Sequence, residues 1–252
     1  MAKGNSGGKR AAAQAGSAAQ NVAINAKPLT DQDAANLRQQ QDSMYDASTT
    51  AAVKMYISNT NFDGQGHSLS QAMNYALDNG VDFSTMDVDA INARLGTHFT
   101  ANDIASMQYT DAYMQAAVHP IGQDVILQRG AHDDLLRNVF GIQDYSRLSE
   151  TQLQNQLEGK AFQTTSYMST SYDVNKNPFL SSSSGVSGGR EVVYNITAGS
   201  QTSMLFGAKS QSEIVLGKGT NFLITGVHYS GKTATPRGGK SKPQIIIDIK
   251  TT

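Results

Sequence analysis

The spacing of apolar residues changes period near Val125, and this change constrains the fold more than any other feature of the chain. Ahead of it, apolar side chains recur at helical intervals. Leu69, Met73, Ala76 and Leu77 share one face of a predicted helix, and Asn79-Gly80 supplies a stop that tolerates left-handed backbone. The pattern is helical again over 87–95 and 100–117, where Thr100-Ala101-Asn102-Asp103 reads as an N-terminal cap before Ile104, Met107, Tyr113 and Met114. Helical spacing starts earlier, among Leu37, Met44, Tyr45, Val53, Met55, Tyr56 and Ile57. Past the change, Val125-Ile126-Leu127-Gln128-Arg129-Gly130 is a short apolar run between Gly122 and Gly130, which predicts a buried strand. Helical stretches follow at 133–140 and 150–157. Six strand-like runs then cover 167–171, 190–197, 202–206, 212–216, 221–229 and 244–249. A helical front and a strand-rich back predict the α+β class. No internal repeat is visible.

The 252 residues suffice for one catalytic domain with an N-terminal extension, or for two small domains. The first thirty or so residues are Ala, Gly, Gln, Ser and Asn with scarcely a large apolar side chain, so burial there cannot offset the entropy of ordering. With Gln39-Gln40-Gln41 prolonging that polarity, a flexible tail or linker is expected over 1–44. One domain is expected over 45–252, helical to about 122 and β-rich from about 123. Lys and Arg total 20 against 21 Asp and Glu, so no global field favours nucleic acid or an anionic membrane. The absence of cysteine excludes disulfides, thiolate metal sites and thiol nucleophiles. Lys3, Lys9 and Arg10 are not followed by a Leu-rich run, so no cleavable signal peptide is expected, and no stretch approaches the ~20 apolar residues of a membrane span. Export would need another route, such as delivery as an effector or a phage component.

Three strand-associated signatures occur in order: Gln128-Arg129-Gly130, Ser169-Thr170-Ser171 and Gln211-Ser212-Glu213. Each alone describes an ordinary strand end or edge. Their order, strand context and separations of 40 and 44 residues between Arg129, Ser169 and Glu213 make the combination specific. The five histidines lack metal-ligand spacing, so no metal is expected. Gly185-Val186-Ser187-Gly188-Gly189 lacks a strand before it and a helix after it and reads as loop, as does the Lys/Arg/Gly stretch over 232–242.

Together the three signatures resemble the ADP-ribosyltransferase superfamily, in its toxin-like Arg–Ser–Glu class. Tyr167-Met168 before Ser169 and Ile214-Val215-Leu216-Gly217-Lys218-Gly219-Thr220 after Glu213 extend the similarity, although Ser166 stands where the family usually has Gly. The resemblance implies a helical N-terminal subdomain packed on two apposed, mainly antiparallel sheets, with a cleft for NAD between them. It implies that Glu213 bonds the ribose 2′-hydroxyl of NAD and stabilises the cation formed as nicotinamide leaves, as carboxylates do in glycosidic cleavage. Arg129 would grip a phosphate with its fixed charge and planar fork. Gly130 would admit the nicotinamide amide close to the backbone. Ser169 would hydrogen-bond Glu213 and aim it.

Two aromatic residues keep two readings each. Phe179 either stacks on nicotinamide or sits in a surface loop, and Phe206 either recognises the target or ends a core strand. Gln211 is similar to the Gln of exoenzymes that modify an asparagine on Rho-type GTPases. An amide pairs with an amide but cannot neutralise a guanidinium, so the resemblance implies a protein acceptor, asparagine before arginine, and a GTPase as the target class. Two further readings stay open: an NAD glycohydrolase using the same Arg129, Ser169 and Glu213, and a phage or other structural protein with a degenerate transferase fold.

Overall fold

A computed structural model of the protein describes residues 25–58, 60–64, 66–173, 190–235 and 240–252. The expectations for residues 1–24, for Phe179 and for the Gly/Ser run at 181–189 lie outside the described residues.

The front half is helical: α1 (Asp31–Asp42), α2 (Ala47–Ile57), α3 (Leu69–Asp78), α4 (Val88–Leu95) and α5 (Ala101–Ala117). Thr30, Asp46, Ser68, Asp87 and Thr100 cap them in turn, each side chain accepting from the backbone N–H three residues on and so satisfying one otherwise orphaned donor. The later helices are α6 (Asp134–Asn138) and α7 (Glu150–Leu157). No helix among the described residues is long and apolar enough to cross a membrane.

The strands are β1 (His119–Pro120), β2 (Val125–Ala131), β3 (Ala161–Gln163), β4 (Met168–Ser171), β5 (Val192–Ala198), β6 (Ser203–Phe206), β7 (Glu213–Leu216), β8 (Asn221–Ala234) and β9 (Lys242–Thr251). They form one hydrogen-bonded sheet in the order β1-β6-β7-β4-β2-β5-β9-β8-β3, antiparallel except between β5 and β9. The two expected sheets are the halves of this ladder. Only the pair Gln128↔Ser171 joins β4 to β2, so the sheet bends there and its halves face one another.

Burial shows why. Along β6 and β7, Met204, Phe206, Ile214 and Leu216 join a core shared with Val125 and Leu127 of β2, Tyr194 and Ile196 of β5, and Ile245, Ile247 and Ile249 of β9. The intervening Leu205 and Val215 pack on the other side against Tyr56, Met73, Ile104 and Met114 of the helices. Alternation along a strand sends successive side chains to opposite faces, so these two strands are apolar on both. Each such aliphatic side chain contributes about 1.5–3 kcal/mol by leaving water. This sandwiching fixes the β4–β6–β7 half between the helices and the second half-sheet, and its open end carries Glu213.

Two expectations are corrected. Residues 31–42 are not tail: α1 is capped, and Ala34 reaches the inter-sheet core while Gln41 is 2% exposed. Its partners are backbone groups of β6, a source of order that apolar spacing does not reveal. The expected loop over 232–242 is also shorter, because β8 continues through a register shift between Tyr229 and Thr233 to pair Ala234 with Lys242.

Candidate active site

At the bend of the sheet, Arg129 of β2 donates from Nη1 to the carbonyl of Ser169 in β4 at 2.6 Å, tying two of the sequence signatures together. The β4–β7 register places Ser171 opposite Glu213 and Ser169 opposite Val215, so Ser169, Ser171 and Glu213 share the helix-facing side. Thr170 points the other way, and its hydroxyl donates to the Ile214 carbonyl at 2.7 Å, a strand-structural contact. Gly130 is buried within β2, opposite Val193.

Tyr56 of α2 marks where these residues converge. Its hydroxyl accepts from Asn74 Nδ2 at 3.0 Å, and the same nitrogen reaches the Tyr167 carbonyl at 3.1 Å, pinning α3 to the entrance of β4. Burial raises the Tyr56 phenol above its ordinary value and keeps it protonated. The charge of Glu213 acts in the same sense, while Asn74, Arg129 and the Ser169 side chain oppose it. The Ser169 side chain thus lies against this hydroxyl, and the charges of Arg129 and Glu213 both act on it. For Arg129, burial pulls the guanidinium below its ordinary value, countered by Tyr56, Tyr194 and Asp78. Beside it the Tyr194 hydroxyl is buried with no hydrogen-bond partner among the described residues, at the Arg129 end of the site.

Glu213 is 6% exposed. Its carboxylate accepts from the Ala208 N–H at 2.7 Å, rather than from Ser169 as expected. The register explains the difference: Ser169 stands opposite Val215, two positions along the strand, and its hydroxyl lies against Tyr56 instead. The segment between β6 and β7 folds back on the carboxylate through Gly207 N–H to Glu213 O at 3.0 Å and Glu213 N–H to Ala208 O at 3.2 Å. A short 3-10 turn, Lys209–Gln211, and a left-handed Ser212 with φ 48° complete the return. Gly207 leaves room: a Cβ there would stand 2.2 Å from Glu213 Oε2. Gln211 is half-buried. Its carbonyl accepts from the Ser171 hydroxyl at 3.2 Å, and its side-chain amide has no hydrogen bond within the described residues.

Phe206 takes the core role of the two expected for it, because at 3% exposure it has no face to offer a partner. Over its ring lies Arg38 of α1, with Cζ 5.3 Å from the centroid. Arg38, Gln41 and Tyr56 are the residues that sequence reasoning missed at this site. A signal for α1 existed in Thr30-Asp31-Gln32-Asp33, where Thr30 and Asp33 form a reciprocal capping box.

A buried carboxylate at the start of β7, with a half-buried guanidinium on the nearby β2, can stabilise positive charge that develops on a bound anionic substrate. No cluster of three or more metal-binding side chains occurs among the described residues. The family model described as ADP-ribosyltransferase exoenzyme matches residues 59–252. Among solved structures the chain is similar to Plx2a, an ADP-ribosyltransferase toxin from Paenibacillus larvae, with TM-score 0.59 and 12% identity over 88% of this chain and 96% of that one. It is similar to the Clostridium limosum C3 exoenzyme with TM-score 0.55 and 14% identity, covering 91% and 98% of the two chains. C3stau2 from S. aureus, solved with NAD, gives TM-score 0.52 and 14% identity over 90% and 98%. No curated protein matches the chain in sequence. The chain belongs to the ADP-ribosyltransferase exoenzyme family and is an NAD-dependent mono-ADP-ribosyltransferase.

Proposed function

We propose that Glu213 is the catalytic carboxylate, that Arg129 holds a phosphate of NAD, and that the acceptor is an asparagine of a Rho-type GTPase. The observation that carries this reading is that Arg129 bonds the Ser169 carbonyl on β4 while β4 pairs with β7, which carries Glu213, so residues 40 and 44 positions apart meet at neighbouring strands beside Tyr56. Anionic dinucleotide fits a site whose Arg129 guanidinium is half-buried and whose neighbouring Tyr194 hydroxyl has no hydrogen-bond partner among the described residues. Arg129 would pair with phosphate oxygens and Gly130 would border the nicotinamide. Glu213 would accept from the ribose 2′-hydroxyl and stabilise positive charge on the sugar as the bond to nicotinamide breaks. Ser169 acts on this arrangement indirectly, through its carbonyl to Arg129 and its side chain beside Tyr56.

The acceptor assignment rests on Gln211, two residues before Glu213. Its amide, without a hydrogen bond among the described residues, can donate to and accept from another amide, which orients asparagine nitrogen for attack; it offers a guanidinium no charge. The Rho-type target follows from this Gln and from structural likeness to C3 exoenzymes. The test is label transfer from radiolabelled NAD to a purified Rho-type GTPase, with the acceptor located by mass spectrometry. Glu213→Gln should lower both transfer and nicotinamide release by at least about 10²-fold, the scale of losing a principal charge-stabilising group. Wild-type turnover in that variant would remove Glu213 from the reaction, and label on arginine would refute the acceptor assignment.

A further inference from the structure

One peptide group links the first described helix to the candidate catalytic carboxylate. The carbonyl of Gly207 accepts from Arg38 Nη1 at 2.6 Å, and the N–H of the same peptide, on Ala208, donates to Glu213 Oε2 at 2.7 Å. Arg38 also reaches the Phe206 carbonyl at 3.3 Å and covers the Phe206 ring. Gln41, one turn further along α1, holds the neighbouring backbone from both sides: its Nε2 donates to Met204 O at 2.9 Å and its Oε1 accepts from Phe206 N–H at 2.8 Å. α1 thereby supplies backbone partners along the outer edge of β6, where β1 pairs only with Ser203 and Met204. This helix precedes residue 59, where the family match begins.

We infer that Arg38 is a positioning residue for Glu213, acting through the Gly207–Ala208 peptide. The inference rests on the reading of Glu213 as the catalytic carboxylate. Both hydrogen bonds of that peptide are charge-assisted, one from a guanidinium and one to a carboxylate, and such bonds are short and strong. A cation on the carbonyl polarises the peptide and makes its N–H a better donor, so the two bonds reinforce one another. They also fix its orientation, since rotating the peptide plane breaks both. Glycine at 207 is required here for space rather than for backbone freedom, because its φ is not positive and the carboxylate occupies the place of a Cβ. Burial lowers the Arg38 guanidinium while Asp42, Tyr172, Glu213 and Tyr45 favour its charge, so these are the groups among which it is held. Nη1 of the guanidinium donates to both the Phe206 and Gly207 carbonyls while Cζ stands 5.3 Å from the Phe206 ring centroid; lysine carries the charge without the planar, delocalised group.

The test compares Arg38→Met, Arg38→Lys and Glu213→Gln in the full chain, measuring nicotinamide release from NAD alone. Calorimetric titration with NAD gives affinity and the fraction of competent sites. Arg38→Met should lower kcat by on the order of 10- to 100-fold, the loss expected for one charge-assisted bond, with NAD affinity and stoichiometry unchanged. Arg38→Lys should recover part of that loss. Adding Arg38→Met to Glu213→Gln should cost nothing further, because a residue acting only through Glu213 has no effect once the carboxylate is gone. Wild-type kcat in Arg38→Met overturns the inference, as do additive losses in the double variant, a fall in NAD stoichiometry matching the fall in kcat, or weakened NAD affinity at unchanged kcat. Activity surviving in Glu213→Gln alone would instead sink the assignment of Glu213.

Discussion

Replacing Gly207 by alanine should separate catalysis from stability. The added Cβ would stand 2.2 Å from Glu213 Oε2, 2.5 Å from Cδ and 2.7 Å from Cγ, all on one side chain. Carbon does not approach other heavy atoms below about 3 Å, so the carboxylate must move by roughly 1 Å or the loop must open. Displacement of a reacting group by ~1 Å costs on the order of 10²-fold in rate. Losing the Ala208 N–H bond, at about 1.5–3 kcal/mol for a charged partner, gives a similar figure of roughly 10- to 150-fold. The two routes agree on a kcat loss near 10²-fold. Stability should fall by less than the worth of that bond, because part of it is offset. The clash is with a side chain, not with backbone, and alanine at a residue without positive φ removes unfolded-state entropy worth about 0.4–1 kcal/mol. Steady-state nicotinamide release and a thermal melt on one preparation decide the matter. A kcat within about twofold of wild type at an unchanged melting temperature would refute the placement of the carboxylate against Gly207.

Gln41→Ala leaves Met204 O and Phe206 N–H without their partner, a loss of roughly 2–4 kcal/mol. At about 2–4 °C per kcal/mol for a chain of this size, differential scanning calorimetry should record a clear fall in Tm. Gln211→Glu should keep NAD hydrolysis while shifting protein transfer from asparagine towards arginine, read by mass spectrometry of the acceptor; unchanged asparagine transfer would detach Gln211 from acceptor choice. Burial lowers the His119 imidazole below its ordinary 6.5, and its Nε2 is buried with no hydrogen-bond partner among the described residues. Between the lowered folded value and 6.5 the unfolded chain binds more protons, so stability rises with pH through that window and falls on acidification below 6.5. His119→Phe retains an aromatic partner for Tyr45 and should lose part of that acid-side fall in a melt series from pH 7.5 to about 5.

Most strands and helices were legible because their apolar spacing faces a single core. The helices over 69–78 and 101–117 and the strand over 125–131 follow this pattern directly. β7 was legible for another reason: Ile214, Val215 and Leu216 are consecutive apolar residues, which suit a strand buried on both faces. Helical spacing was visible from Leu37, but the start of α1 at Asp31 was not, because the helix buries little apolar surface and is held by Arg38 and Gln41 reaching backbone atoms more than 160 residues away. The end of β8 escaped because Ser230-Gly231-Lys232 reads as a turn, whereas a register shift carries the strand past it.

What the sequence by itself determined is the identity and order of the chemical groups: an Arg-Gly ending one strand, a Ser-Thr-Ser strand, and Gln-x-Glu opening another. Local patterning carries such information, since strand ends and polar exceptions to apolar runs are visible without knowing what packs where. The tertiary structure alone decided what each group touches. Register put Ser169 beside Tyr56 and opposite Val215, folding the β6–β7 loop placed the Ala208 N–H on Glu213, and packing of α1 set Arg38 on the other side of the same peptide. A hydrogen bond depends on distances of tenths of an ångström between residues far apart in the chain, and only the assembled core holds them to that tolerance.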